Sequence, residues 1–183
     1  GLVYYIRQNA EPENRAELRL LVNAGSVLET DGQQGLAHFL EHMCFNGTET
    51  YSGNDLISFL QTTGTKFGAD LNAYTSFDET VYMLPIRTDS AGLLNKAIDI
   101  LEEWAHKVTF DPKEIDKERG VVMEEKRLRS GAYRRLASLT DPVLLADSRY
   151  PSRFPIGTEK VILEAPHDTL IRFYRDWYRP DLM

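Results

Sequence analysis

Cysteine is almost missing from this chain of 183 residues: Cys44 stands alone, which excludes an internal disulfide and a thiolate zinc cluster. Histidine is scarce as well, with four in all. No stretch approaches the run of about 20 apolar residues that spans a bilayer, so no membrane span is expected. The opening Gly1-Leu2-Val3-Tyr4-Tyr5-Ile6 lacks the basic n-region of a signal peptide, and its strand-like character makes a processed or truncated start the expectation. Positive charge is in deficit, 21 Lys and Arg against 28 Asp and Glu for a net charge of −7, which argues against a nucleic-acid partner. What is present, 42% hydrophobic and 27% charged residues, is the composition of one globular domain. A chain of this length buries roughly 70% of its unfolded surface, so it needs no metal to hold a core, and any metal it binds serves chemistry.

The periodicity predicts strands early and helices late. Leu2 to Gln8 and Ala16 to Gly25 read as a hairpin around the polar turn Asn9 to Asn14. Gln34 to Phe45 reads as a helix, with Leu36, Phe39, Leu40 and Met43 at helical spacing, and Asn54 to Thr63 as a second helix capped by Gly64. Lys66 to Tyr74 and Glu79 to Ile86 read as two more strands. Leu93, Leu94, Ala97, Ile98, Leu101 and Trp104 mark an amphipathic helix, and Asp111-Pro112 opens another with an N-cap aspartate and a proline at the first helical position. A last helix is expected over Thr169 to Tyr178. The resulting expectation is a single α+β domain over residues 1–183, a two-layer sandwich in which helices pack on one face of an antiparallel-rich sheet.

His38-Phe39-Leu40-Glu41-His42 lies on the first helix. A rotation of about 100° per residue puts His38 and His42 on one face, one turn apart, with Glu41 beside them. Two imidazoles in this relation suit two corners of a tetrahedral zinc, and a neighbouring carboxylate can serve as general base. The order H-x-x-E-H is that of the inverted zincins. A catalytic zinc takes a third protein ligand and leaves a fourth position open. The later helix holds Glu118 and Glu125, seven residues apart and therefore on one face, about 10.5 Å along the axis. Spacing does not choose between them.

Other candidates carry less. Cys44 follows His42 by two residues and so points to a different helix face; a buried structural thiol is expected. His106 and His167 have no metal-ligand spacing to anything. The basic stretch Lys126, Arg127, Arg129, Arg134 and Arg135 reads as a solvated helix face, and Phe173, Tyr174, Trp177 and Tyr178 as packing residues.

The runs HFLEHMCFNGT, LNAYTSFDETVY and ERGVVMEE, in this order, resemble the N-terminal catalytic domain of the pitrilysin and insulinase family of zinc peptidases. The resemblance spans nearly the whole chain and is especially close to bacterial zinc proteases of that family, through GNDLISFL, KFGADLNAYTSFDETVY, EIDKERGVVMEE and FYRDWYRPDLM. It implies a mitochondrial processing peptidase-like metallohydrolase fold and one Zn2+ per domain. It also implies His38, His42 and Glu125 as zinc ligands, Glu118 as a support outside the ligand set, and Glu41 as catalytic base. The family spacing counted from His42 lands on Glu118 (118 − 42 = 76), whereas 125 − 42 = 83. The register of ERGVVMEE favours Glu125, with the seven extra residues placed between Gly47 and Phe67.

The resemblance further implies an edge strand bearing Asn72, Ala73 and Tyr74, to which an extended peptide or small unfolded protein substrate adds. The working enzyme of the family has two similar halves, so the C-terminal half of the same parent is an expected partner. The chain is expected to stop before its last strand and to be inactive alone, and the family likeness points to the periplasm. The competing expectation is a non-catalytic binding or assembly homologue that keeps the metal site.

Overall fold

The computed structural model describes residues 1–62 and 73–183. Three strands form the sheet among the described residues: β1 (Arg15–Val22), β2 (Ala73–Thr75) and β3 (Thr80–Arg87), in the order β1-β3-β2 and antiparallel throughout. The helices are α1 (Leu36–Phe45), α2 (Gly53–Thr62), α3 (Leu93–His106), α4 (Pro112–Leu128), α5 (Ala132–Leu144), α6 (Glu159–Glu164) and α7 (His167–Trp177).

Alternation along the strands decides which face is covered. The register pairs Ala16 with Ile86, Leu18 with Leu84, Leu20 with Tyr82 and Val22 with Thr80, and this face carries the buried Leu20, Val22, Tyr82, Leu84 and Ile86. Here α3 packs on β1 and β3, while α1 packs on β2 and β3. The opposite face carries the exposed Leu21 and Tyr74 on either side of the buried Val81, and the helices α1 and α3 pack on the other face, as the apolar pattern predicts. No helix among the described residues is long and apolar enough to cross a membrane.

The expected N-terminal hairpin does not form. Leu2 to Ile6 are 57–94% exposed and belong to no strand, and β1 pairs instead with β3, far along the chain. Strand propensity in Leu2 to Gln8 needs a ladder partner to be realised, and none of the described strands pairs with it, although β1 has one edge unpaired among them. The strand expected from Lys66 and the Gly64 cap lie outside the described residues, apart from Ala73 to Thr75. Helix boundaries otherwise fall within a few residues of the sequence pattern.

Helix α1 sits in the middle of the molecule, with eight of its ten residues buried. It is held from behind by Trp104 of α3, whose indole N–H donates to the Cys44 carbonyl at 2.8 Å. At its N-terminus, Gly35 carries no capping side chain; the buried carboxyl group of Glu29 accepts from the backbone N–H of Gly35 (2.9 Å) and of Ala37 (2.8 Å) instead. Helix α4 starts as its sequence predicts: Pro112 is at its first position, and the Asp111 carboxylate accepts from Lys113 N–H at 2.7 Å. Ile115, Glu118, Val122 and Glu125 recur three and four residues apart, and this stripe of α4 faces α1.

Candidate metal centre

The α1–α4 contact brings three donors to one point. His38 Nε2 and His42 Nε2 are 3.3 Å apart, and Glu125 Oε2 lies 3.3 Å from the first and 3.2 Å from the second. A tetrahedral zinc with ligand distances of about 2.0–2.1 Å separates its donors by about 3.3–3.4 Å. The triangle of side chains therefore has the size that such an ion requires. The donor chemistry agrees, since two imidazole nitrogens and one carboxylate oxygen leave a fourth corner for solvent or substrate. Glu125 Oε2 is buried and has no hydrogen-bond partner among the described residues, an expensive arrangement unless a cation takes the oxygen.

Around this triangle His42, Glu125 and Glu41 are tied in place, whereas His38 Nδ1 is buried with no hydrogen-bond partner among the described residues. Glu118 Oε1 accepts from His42 Nδ1 at 2.7 Å, and its Oε2 accepts from Asn46 Nδ2 at 2.7 Å. A proton held on Nδ1 by Glu118 leaves the Nε2 lone pair of His42 aimed at the triangle. The second carboxylate oxygen of Glu125 pairs with the Arg129 guanidinium one turn further along α4. Glu41 is buried at 9% exposure, and Thr75 Oγ1 donates to its Oε2 at 2.5 Å.

Electrostatics follow from this crowding. Burial pulls His42 towards its neutral form, but the neighbouring carboxylates of Glu118, Glu125 and Glu41 more than offset that, and its pKa rises to about 9; a divalent cation at the triangle would take the place of the Nε2 proton. Burial pushes Glu118 up, yet His42 and Asn46 hold its carboxyl below the usual range. Glu125 is likewise raised by burial and then carried well below the usual range by His38 and His42. Three carboxylates facing two imidazoles make a site that attracts positive charge.

The structure brings His38, His42, Glu118 and Glu125 together, and Glu41, next to His42 on α1, acts on that imidazole through its charge. Ala73 is buried on β2, and Tyr74 is exposed, donating to Glu79 Oε1 at 2.8 Å. Asn72 lies outside the described residues. β2 is at an edge of the sheet as described. Cys44 is fully buried against Tyr82, and burial pushes its thiol up to about 12, which removes it as a nucleophile. His106 pairs with Glu102 and His167 with Asp116, away from the triangle. Sequence reasoning missed Asn46, Arg129 and Thr75. The first two were within reach, since Asn46 follows His42, and Arg129 follows Glu125, by one helical turn. Thr75 meets Glu41 only through the packing of β2 on α1.

Residues 4–136 match the family described as Insulinase (Peptidase family M16). The chain belongs to that family. It is 43% identical over 183 residues to the probable zinc protease PqqL of Haemophilus influenzae and 41% identical over 183 residues to PqqL of Escherichia coli. Each alignment covers 100% of this chain and 20% of the relative, so the chain spans about a fifth of these proteins. Among solved structures, the first half of the periplasmic protease PqqL from Escherichia coli superposes with a TM-score of 0.90 at 41% identity, over 95% of this chain and 37% of that one. Family membership places the H-x-x-E-H helix in a Peptidase family M16 domain, and the close relatives carry zinc protease as their name.

Proposed function

We propose that this chain is the N-terminal metallopeptidase domain of a larger two-half zinc endopeptidase and that it hydrolyses peptide bonds in extended peptides or small unfolded proteins. The observation that carries the reading is the triangle of His38 Nε2, His42 Nε2 and Glu125 Oε2, with edges of 3.2–3.3 Å, beside the buried carboxylate of Glu41. In this reading His38, His42 and Glu125 hold one zinc, and Glu118 orients His42.

A zinc ion held there supplies Lewis acidity to the carbonyl and the water. The chain's own residues do the rest. Glu41 accepts the proton of the attacking water at a carboxylate oxygen and returns it to the departing amine nitrogen. An extended peptide lies along the edge of β2, held by main-chain hydrogen bonds near Asn72, Ala73 and Tyr74, which gives broad sequence tolerance. The C-terminal half of the parent closes over the peptide, so the 183 residues alone show little activity. The likeness to a protease described as periplasmic supports the same compartment here.

The test is metal analysis and peptide cleavage by the full-length parent and its Glu41→Gln variant. The expected result is zinc in both and cleavage only in the parent, because the amide keeps the shape of the carboxylate and loses its basicity. Zinc without cleavage in the parent would favour a binding or assembly homologue.

A further inference from the structure

Thr75 is the residue of β2 that reaches the proposed base. The register places it opposite Thr80, and alternation puts it on the same face as the buried Ala73 while Tyr74 faces outwards. Helix α1 packs on that face, and Thr75 Oγ1 meets Glu41 Oε2 at 2.5 Å. A hydroxyl has one proton to give. The neighbouring hydroxyl, Thr80 Oγ1, is 3.5 Å from Thr75 and spends its own proton on the Ala24 carbonyl at 2.9 Å. The ionised carboxylate is the stronger acceptor, so the Thr75 proton belongs to Glu41.

That bond bears on the base directly. The last torsion of a glutamate side chain is broad and roughly two-fold, so an unanchored carboxylate spreads its oxygens over a wide arc. Holding Oε2 fixes the plane of the group and leaves Oε1 as the oxygen that can accept a proton. Among the described residues the anchor stands on an edge strand, so the strand proposed to carry the peptide and the orientation of the base are set by one backbone segment.

We propose that Thr75 is a positioning residue for Glu41: its hydroxyl fixes the carboxylate so that the free oxygen faces the scissile bond of a peptide laid on β2. Thr75 acts through Glu41 and touches neither metal nor substrate. The inference rests on the peptidase reading above.

The experiment compares Thr75→Val, which keeps the shape and removes the hydroxyl, with Thr75→Ser, which keeps the hydroxyl, in the full-length parent. Thr75→Val should lower kcat by about 10-fold or more while KM stays within about twofold, and zinc content should not change. Thr75→Ser should hold kcat within about threefold of the parent. In a Glu41→Gln background, the Kd of an unlabelled substrate peptide, measured by calorimetry, should be the same with and without the Thr75→Val substitution. Unchanged kcat in Thr75→Val, or a serine variant as slow as the valine one, overturns the assignment. So does a Thr75→Val variant that weakens peptide binding in the Glu41→Gln background, since that makes Thr75 a part of the strand's substrate contact. A parent that holds zinc and cleaves nothing sinks the peptidase reading and this inference with it, whereas a cleaving parent with an unaffected valine variant sinks this inference alone.

Discussion

His42 and Glu118 meet across two helices, Nδ1 to Oε1 at 2.7 Å, and this contact sets the two glutamates of α4 on different sides of the imidazole. Glu118 is spent on the far side of the imidazole and on Asn46, whereas Glu125 Oε2 faces both Nε2 atoms. Glu125→Gln should therefore lose zinc on dialysis. Glu118→Gln should retain it with an affinity lower by about 10-fold to 100-fold, the usual effect of removing a group that orients a ligand. Metal analysis of the two purified variants checks the difference, and full metal retention by Glu125→Gln would overturn the ligand assignment.

Gly157 and Gly35 touch backbone to backbone at the entrance to α1. Both have left-handed φ, +67° and +102°, and a Cβ on Gly157 would stand 2.4 Å from both Gly35 Cα and the Gln34 carbonyl oxygen. Those atoms belong to the main chain and cannot swing aside. Gly157→Ala should cost roughly 1–3 kcal/mol through overpacking and backbone strain. The checks are a lower urea midpoint and weakened zinc binding, because α1 carries both histidines.

Glu29 gives stability a pH signature. Burial pushes its carboxyl up to about 8, against the opposing pull of the Ala37 and Gly35 N–H groups and of Arg153. The folded chain thus keeps a proton that the unfolded chain, titrating near 4.5, has released. A raised folded pKa means stability present in full below the unfolded value and lost as pH rises through the folded one. The thermal midpoint of the wild type relative to Glu29→Gln should fall between about pH 5 and about pH 9, and a flat difference would show that Glu29 is charged throughout.

Trp104 carries the back of α1. Its side chain is fully buried, it stacks near Tyr82 and Phe45, and its indole N–H holds the Cys44 carbonyl. Trp104→Ala should destabilise the chain by about 3–5 kcal/mol, read as a fall in the denaturant midpoint. Trp104→Phe should lose less, since the packing survives and only the hydrogen bond and some volume go.

Much of the site was legible because helical geometry is local. His38, Glu41 and His42 fall on one face at 3.6 residues per turn whatever else the chain does, and the seven-residue interval between Glu118 and Glu125 puts both on one stripe of α4. The start of α4 was equally readable, because Asp111 and Pro112 act on the first turn alone. The strands were harder. Leu2 to Gln8 has every local mark of a strand, but a strand exists only as one side of a ladder, and the partner of β1 is β3 rather than its neighbour in sequence.

The sequence by itself determined which side chains share a helix face, and with that the groups available to the molecule: two imidazoles and a carboxylate on one helix, and a pair of carboxylates on another waiting for a partner. Only the tertiary structure decided that Glu125 points into the imidazole pair while Glu118 goes behind it, that Thr75 grips Glu41, and that Glu29 caps α1 from six residues upstream of Gly35. The reason is physical. Periodicity fixes the direction of a side chain relative to its own axis, whereas the offset and crossing of two elements are set by how their side chains interlock across the core, which no single segment encodes.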